Sequence, residues 1–448
     1  MSTVRQAVGP AYLFACIVMG GSAQGILSNL ALQLLGLAIL VWAFVARAPV
    51  KASRPARYLG RIAALAVLIV VVHLIPLPPM LWTNLPGRQL VADGFGLLGQ
   101  PLPWMPLSLA PADSIATAMA LLPPLAMLAL ILRLNAYRDS WLAIALLAAT
   151  AISVALGVMQ IQGSGPYLYP LANIGTASGL FANANHQATL LLIAIPLLVA
   201  LAARRWRRSP KPNDRFLTVT LAAGAAVVVA LGIAVNQSFA LLIIGGPVVA
   251  ATALQLAPAG RVRLGRLAAV IGLLFVAGMA ALAVMVSAGF SDSNRTSVTM
   301  RGDIWTHSQQ AIADFGLTGS GVGTFASVYP LYEDPATIER TYINHAHNDY
   351  LEIALEAGVP GVILMIAFLA WWASRTIGIW RSPNEALLAR AATIVSAAIL
   401  VHSLVDYPLR TAGIATALAM ALALMADPAR RQAQAKLAEL RPARHLTL

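Results

Sequence analysis

The sequence predicts an all-α polytopic membrane protein with about twelve transmembrane helices. Apolar residues make up 59% of the 448 residues and charged residues only 10%, whereas soluble domains average about 45–50% and about 25%. The mean hydropathy is +0.76. The apolar stretches are about 17–25 residues long, which is enough for a helix to cross roughly 30 Å of hydrocarbon. A soluble protein with a single anchor is therefore excluded.

The predicted spans are rich in Leu, Ala and Val and carry Gly and Pro freely, as membrane helices do. Their bounds are 10–26, 28–46, 60–77, 113–132, 141–160, 186–203, 216–235, 238–257, 267–289, 359–377, 389–405 and 411–426. The first span lacks a convincing small-residue cleavage site and runs almost directly into the second, so we do not expect a cleaved signal peptide. Cys16 is the only cysteine, so no intrachain disulfide can form. We expect one integral membrane domain, residues 1–448.

The charges predict the orientation of the chain. One predicted side holds 25 Lys and Arg with 5 Asp and Glu, and the other holds 5 Arg with 12 acids; net +20 and net −7 together give the formal charge of +13. By the positive-inside rule both termini, including the tail 427–448, are expected in the cytoplasm. The basic runs, such as Arg204–Arg208, are then topology signals that contact membrane lipids. Nucleic-acid binding is not needed to explain the charge.

Three segments on the acidic side exceed a tight turn. Residues 78–112 are rich in Pro and Trp and indicate an interfacial loop with aromatic anchors. Residues 161–185 end in GLFANANHQ, at the start of the sixth span. Residues 290–358 form the largest loop, which we predict to be periplasmic and to contain two short helices.

The first helix of the large loop is predicted to be amphipathic. Its buried face should consist of residues at helical spacing, namely Ile304, Ser308, Ala311, Ile312 and Phe315. Four glycines then follow within 316–323, and they favour a turn in which the backbone approaches another segment, because no Lys-Ser/Thr pair completes a phosphate-binding loop. The second helix is predicted at 349–357. Asp349 and Glu352 have capping-box spacing, Gly358 suits the C-terminal cap and Pro360 suits the start of the next span.

The second helix opens the segment HAHNDYLEIALEAGVPG, from His345 to Gly361. His345-x-His347-x-Asp349 matches the start of a zinc motif, but Tyr350 stands where the motif has another histidine, so we expect neither a metal nor a cofactor. His347 precedes a helix N-terminus, which suits a proton acceptor or a donor to a bound anion. A histidine that only satisfies backbone groups is the alternative. Glu352 and Glu356 are one helical turn apart and are expected on a solvated helix face.

Arginines on the acidic side are candidates for phosphate binding, because a guanidinium can hold phosphate through two hydrogen bonds. Arg301, Arg340 and Arg410 are three of the five basic residues there; ion pairs with Asp303, Glu339 and Asp406 are the alternative. Further candidates lie at the ends of apolar runs, where ionisable and polar residues are often functional. They are Asn183, Asn185, His186, His402 and Asp406. For Asn185, capping of the sixth span is the alternative.

Four passages, in order, resemble the O-antigen ligase and polymerase superfamily of bacterial inner-membrane glycosyltransferases. They are PLPPMLW…LPGR…WMPLSLAP, GLFANANHQATLL, RGDIWTHSQQAIADFGLTGSGVGTF and HAHNDYLEIALEAGVPG. The resemblance covers about residues 10–426. It implies helices of the GT-C type, a large periplasmic loop before the tenth span, and a glycan donor linked to undecaprenyl pyrophosphate. It also implies metal-independent, inverting transfer.

By motif, Arg301 and His347 match the family's loop arginine and its His-Asn histidine, and we predict that both are catalytic. Substrate contacts are predicted for Arg410, Arg340, Asn348, Asn185, His402 and Asp406. One departure is that the family usually has a Ser-Arg pair after the seventh span, whereas Ser238 is followed here by Phe239. The pyrophosphate must then be held by other arginines, or the donor differs.

The sequence thus predicts a multi-pass protein of the bacterial inner membrane, with a periplasmic active site that moves a glycan to an acceptor hydroxyl. The acceptor is left open among a lipid A core, a growing glycan and a protein Ser or Thr. A non-enzymatic transporter or flippase of lipid-linked glycan is the alternative from another class. It would need ionisable residues deep in the bundle, and these are scarce.

Overall fold

A computed structural model describes residues 3–47, 52–209, 211–236, 238–257, 292–335, 343–382 and 387–426, with positions 273, 274 and 277. The described chain is nearly all-α, with one very short strand pair. In order, the helices are α1 (Thr3–Met19), α2 (Leu27–Val45), α3 (Arg54–His73), α4 (Pro79–Trp82), α5 (Gln89–Leu97), α6 (Pro111–Ala120), α7 (Leu122–Leu128, continued by a π-turn at Ala129–Arg133), α8 (Asp139–Ile161), α9 (Ala184–Arg208), α10 (Pro212–Asn236), α11 (Phe239–Leu254), α12 (Asp292–Phe315), α13 (Phe325–Val328), α14 (Asp349–Arg381), α15 (Leu387–His402) and α16 (Ala412–Ala426). A two-residue antiparallel pair, β1 (Pro76–Leu77) with β2 (Met105–Pro106), is an addition to the predicted all-α fold.

The chain is a multi-pass membrane protein. Seven helical segments in the described ranges are long and apolar enough to cross a membrane, and four shorter apolar helices accompany them. Eleven predicted spans overlap a described helix. The ninth, 267–289, lies outside the described residues except for positions 273, 274 and 277, and the tail 427–448 lies wholly outside them. The count of twelve and the placement of the tail therefore stay predictions.

The first predicted span, 10–26, is displaced: α1 ends at Met19. The reason is the Gly20–Gly21 pair, which leaves the helix and hydrogen-bonds to two other segments. Gly413 donates its N–H to the Gly20 carbonyl at 2.9 Å, and Ala182 donates to the Gly21 carbonyl at 3.0 Å. A Cβ on Gly21 would lie 2.0 Å from the carbonyl oxygen of Leu180. Hydropathy alone predicted that the first span continues to residue 26. The backbone hydrogen bonds of Gly20 and Gly21 to other segments end the helix at Met19.

Helices α9, α15 and α16 form the centre of the bundle. Most residues of these helices are buried, as expected for helices that are apolar on every face. By contrast, α3 and α10 are buried over only 17% of their most apolar windows, so most of their surface faces outward. The polar residues discussed below lie where α9 begins and α15 ends, at one end of this core.

The predicted helices of the large loop are largely confirmed. Ile304, Ser308, Ala311 and Phe315 of α12 are each at most 2% exposed. The predicted break at Gly358 is also confirmed: Gly358 has φ 58° and ψ −153° and divides α14 into 349–357 and the longer segment that follows. Its neighbour Val359 donates its N–H to the Gly316 carbonyl at 2.9 Å.

The segment 78–112 lies against this loop. Arg88 is 1% exposed and donates to the carbonyl oxygens of Leu107 and Gly319. Trp82 is buried, with its indole N–H on Pro103, so it is not an interfacial anchor as predicted, whereas Trp104 is 68% exposed.

Candidate functional site

The histidine segment ends in a helix cap. Asn348 is the N-cap of α14, and its Oδ1 accepts hydrogen bonds from the N–H groups of Tyr350 and Leu351 at 3.0 and 3.2 Å. The predicted capping box of Asp349 and Glu352 is therefore wrong. The Glu352 Oε1 instead accepts from the N–H of Ala346 at 2.8 Å, so this carboxylate holds the loop before the helix.

His347 stands in a strained backbone conformation. Its φ is +49°, in the left-handed region that costs a non-glycine residue about 1–2 kcal/mol. Its Nδ1 lies 3.3 Å from the Asp406 Oδ1, and the side chain is 24% exposed. If Nδ1 carries the proton shared with Asp406, then Nε2 is left as an acceptor. Strained residues of this kind cluster at active sites.

Asp406 is the buried partner on which several groups converge. Its Oδ2 accepts from the Asn185 amide at 2.6 Å and its Oδ1 from the Tyr407 N–H at 2.9 Å. Burial raises the pKa of Asp406, but the hydrogen bond with His347 and the electrostatic interactions with His347, His186 and His402 hold it well below its usual value. Asp406 is therefore a carboxylate at neutral pH.

Asn185 was predicted to contact substrate, with helix capping as an alternative. The cap of α9 is Asn183, whose Oδ1 accepts from the Asn185 N–H at 2.8 Å. The Asn185 side chain donates to Asp406 and accepts from the Ser238 hydroxyl at 2.8 Å. Ser238 is followed by Phe239, where the resemblance implies a Ser-Arg pair. The serine of that pair is therefore present without the arginine, and its hydroxyl holds the Asn185 side chain that contacts Asp406.

Tyr407 lies among the histidines and was not singled out from the sequence. Ring centroids of His345, His347 and His186 lie 4.1, 4.9 and 5.1 Å from its ring. Burial, followed by the negative charge of Asp406, raises the pKa of Tyr407 to about 12. Its position next to Asp406, inside HSLVDYPLR, was the available sequence signal.

Four histidines lie at this end of the bundle and differ in their surroundings, namely His186, His345, His347 and His402. His402 is 1% exposed, and its Nδ1 is 2.6 Å from the Thr189 hydroxyl. His186 is 2% exposed, and its ring nitrogens have no hydrogen-bond partner among the described residues. His345 lies 3.2 Å from the Glu352 Oε2. No group of three or more His, Cys, Asp or Glu side chains in the described part of the chain is placed to hold a metal ion.

Arg410 lies in a cluster of carboxylates. Its Nη2 is 2.7 Å from Glu352 and 3.2 Å from Glu356, and its Nε is 3.6 Å from Asp349. The expectation that both glutamates lie on a solvated face is wrong, because Glu352 is 0% and Glu356 2% exposed. Asp406, the expected ion-pair alternative for Arg410, is not among these partners. Burial lowers the pKa of Arg410, but the three carboxylates raise it above its usual value.

The glycine turn 316–323 packs on the same cluster, as the predicted close approach of backbone requires. Gly321 donates its N–H to the Glu356 carbonyl at 3.0 Å, and Phe325 donates to the Glu356 Oε1 at 3.3 Å. Gly319 has φ +78°, and a Cβ there would lie 2.3 Å from the Glu356 carbonyl oxygen.

Helix α12 carries Arg301 to the same end of the bundle. Trp305, one turn further along, donates its indole N–H to the Ala346 carbonyl at 2.9 Å, which docks α12 beside the histidine segment. The positive charge of Arg301 acts on the His402 ring. No carboxylate of the described residues forms an ion pair with Arg301, so its predicted alternative partner, Asp303, does not hold it. Arg340 lies outside the described residues.

The comparisons with known proteins bear on the family of the chain. Residues 171–366 match the family model for O-antigen ligase, a range that includes Asn185, Arg301 and His347. No curated protein matches the chain. Asp406 and Arg410 lie beyond the matched range but contact residues within it. The matched segment agrees with the predicted resemblance and supports the O-antigen ligase and polymerase superfamily for this chain.

Proposed function

We propose that this protein is a glycosyltransferase of the bacterial inner membrane, with its active site facing the periplasm and both termini in the cytoplasm. It moves a glycan from undecaprenyl pyrophosphate to an acceptor hydroxyl. The observation that carries the proposal is the pair formed by the partly exposed His347 and the buried carboxylate of Asp406. Such a pair gives an imidazole a fixed orientation and a fixed tautomer, which a general base needs.

In the proposed reaction, His347 accepts the proton of the acceptor hydroxyl on Nε2. The hydroxyl oxygen forms a bond to the anomeric carbon of the donor glycan while the bond from that carbon to the pyrophosphate oxygen breaks. The electron pair leaves with the pyrophosphate, and the single displacement inverts the anomeric configuration. Asp406 stabilises the resulting imidazolium by its charge. The alternative role of His347, a donor to the departing phosphate, uses the same ring position.

The pyrophosphate needs a cation that is free to bind it, since stabilising the leaving-group charge is a major part of catalysis. We assign this role to Arg301, whose guanidinium forms no ion pair within the described residues. Arg410 is already paired with three carboxylates, so we do not retain it as the phosphate contact. Arg340 stays a second candidate from the sequence alone.

The other predicted contacts act mainly by positioning. The Asn348 Oδ1 caps α14, the Asn185 amide holds Asp406, and the His402 Nδ1 is engaged by Thr189. We therefore propose that these three side chains set the geometry of the site.

The test of the chemistry is substitution of His347 in purified protein supplied with lipid-linked glycan. Asparagine tolerates the left-handed conformation, so His347→Asn removes the base without adding backbone strain. Transfer should fall about 10²–10⁴-fold in both the Asn and the Ala variant, with normal membrane abundance, and EDTA should not inhibit the wild type. An active Asn variant would return His347 to a structural role, and inhibition by EDTA that zinc reverses would indicate a metal enzyme.

The acceptor is identified by a gel of surface glycans after deletion of the gene. Loss of core-linked polymer with carrier-linked polymer retained indicates a ligase for the lipid A core, and single repeats on the core indicate a polymerase that extends a growing glycan. Unchanged surface glycans would remove both and direct the search to protein O-glycosylation or to transport of lipid-linked glycan.

A further inference from the structure

The indole of Trp305 holds the backbone directly before His347. Its N–H donates to the Ala346 carbonyl at 2.9 Å. Among the described residues, this hydrogen bond is the one that joins α12 to the segment 343–348. Ala346 is 0% exposed, so its carbonyl is shielded from water and depends on the indole for a donor.

Two further hydrogen bonds fix the backbone on either side of His347. The Ala346 N–H donates to the Glu352 Oε1 at 2.8 Å, and the Asp349 N–H donates to the Ser403 carbonyl at 2.9 Å. The indole acts between them, on the peptide group that joins Ala346 to His347. Because a peptide group is planar, holding its carbonyl also sets the direction in which the chain enters His347.

The conformation of His347 needs this support from its neighbours. Its φ of +49° is strained for a residue with a side chain, and such strain persists only where surrounding contacts maintain it. Without the indole donor, the Ala346 carbonyl would be buried and unsatisfied, and the chain would relax toward a negative φ. The imidazole would then turn away from Asp406, whose Oδ1 lies 3.3 Å from its Nδ1.

The same helix carries Arg301. Arg301 is four residues before Trp305, so the two side chains lie one turn apart on one face of α12. The positive charge of Arg301 acts on the His402 ring, which puts this face toward the histidines. Because α12 is a continuous helix, a hydrogen bond that fixes Trp305 against Ala346 also fixes Arg301 relative to the histidine segment.

The proposed displacement requires this fixed geometry. The base acts on the acceptor side of the anomeric carbon and the arginine on the pyrophosphate side, so their separation must match the reacting groups. A misplacement of about 1 Å can lower the rate of such a reaction about 10²-fold. The base and the arginine lie on two segments of the chain that are far apart in sequence, and the indole hydrogen bond connects these segments.

We propose that Trp305 is a positioning residue, which sets the distance between His347 and Arg301 by donating its indole N–H to Ala346. Its role in transfer rests on the proposed function, whereas the docking of α12 on the histidine segment does not.

The first test is glycan transfer by Trp305→Phe, which keeps an aromatic ring and removes the donor. The kcat should fall about ten- to a hundredfold, with KM for donor and acceptor within about twofold of the wild type, because the lost alignment matters in the transition state. Replacing Trp305 with benzothienylalanine, in which sulfur takes the place of the indole N–H, should have the same effect. A wild-type kcat in the benzothienyl variant would overturn the role of the hydrogen bond.

Trp371→Phe is the matched control. The Trp371 indole N–H also joins two helices through a backbone carbonyl, that of Pro55, at 3.2 Å. It lies on α14 roughly 30 Å from Asp349 along the helix axis, far from the histidines. The melting temperatures of both Phe variants should fall by similar amounts, but only Trp305→Phe should lose kcat per folded molecule. An equal effect of the two substitutions on kcat would overturn the proposal.

The second test does not depend on activity. Amide hydrogen exchange in residues 343–349, followed by mass spectrometry on the full chain in nanodiscs, should be faster in Trp305→Phe than in the wild type and unchanged in Trp371→Phe. Unchanged exchange in Trp305→Phe would refute the docking. Faster exchange with a wild-type kcat would refute the positioning role alone. If the wild type transfers no glycan, the proposed function fails, and the exchange result still decides the docking.

Discussion

Replacing Arg410 with alanine should destabilise the protein severely. The substitution leaves Asp349, Glu352 and Glu356 without their common cation, and these three side chains are only 5, 0 and 3% exposed. Removing one partner of a buried ion pair typically costs about 3–5 kcal/mol, because the remaining charge stays buried without compensation. Here three carboxyl groups lose the same cation. We therefore expect a loss of at least that size in the free energy of unfolding.

The measurement is unfolding of the purified protein in mixed micelles, with membrane abundance as the cellular counterpart. Glu356→Gln alone should have a smaller effect, since Arg410 keeps two carboxylates. Combined with Arg410→Ala, it should recover part of the loss, because one of the uncompensated charges is gone. The coupling between the two sites should be about 0.5–3 kcal/mol, as found for residues in direct contact.

Arg301→Ala is the matched control. It removes a guanidinium without an ion pair in the described residues, so the free energy of unfolding should stay within about 0.5 kcal/mol of the wild type. Glycan transfer should instead fall by about tenfold or more, from loss of a charge-assisted contact of about 1.5–3 kcal/mol. Lysine should rescue it poorly. If Arg410→Ala proves as stable as the wild type yet inactive, the structural reasoning is refuted and Arg410 contacts substrate, as the sequence predicted.

Three further results are expected. Gly319→Ala should lower the free energy of unfolding by more than the roughly 1–2 kcal/mol of a positive-φ substitution, because its Cβ also meets the Glu356 carbonyl oxygen at 2.3 Å; denaturant unfolding measures this. The pKa of Asp406 is depressed, so its stabilising contribution should be constant above about pH 4, the ordinary pKa of the group, and be lost as the pH falls further. Melting of wild type against Asp406→Asn at each pH measures this, and a difference that disappears near neutral pH would contradict it. A topology reporter inserted near Pro335 should be periplasmic and one fused after Arg208 cytoplasmic; a cytoplasmic signal near Pro335 would reverse the proposed orientation.

The sequence predicted those parts of the fold that depend on local pattern. Apolar length placed eleven predicted spans on described helices. The helical spacing of Ile304 to Phe315 predicted the buried face of α12, and Gly358 with Pro360 predicted the break in α14. These features depend on neighbours within a few residues, so a periodic pattern records them. The end of α1 was missed because contacts of Gly20 and Gly21 with residues about 160–390 positions away decide it.

The same limit explains the error at Glu352 and Glu356. Their one-turn spacing shows that they share a helix face but not what covers that face. Arg410, 54 residues or more along the chain, covers it together with the glycine turn and Phe325. A pattern within one helix could not reveal a partner supplied by a distant turn. Both carboxylates were therefore expected to face solvent.

Among the four clustered histidines, burial and contacts favour His347 as the candidate general base, which composition alone could not do. His186 and His402 are at most 2% exposed, so neither can meet a bulky glycan acceptor. His345 is next to Glu352 and stacks on Tyr407, which fixes its ring within the cluster. His347 is the most exposed of the four, and its Nδ1 contacts the buried carboxylate of Asp406. Its left-handed backbone conformation is one that the surrounding contacts must maintain. A general base needs access on one side and an orienting charge on the other, and His347 has both.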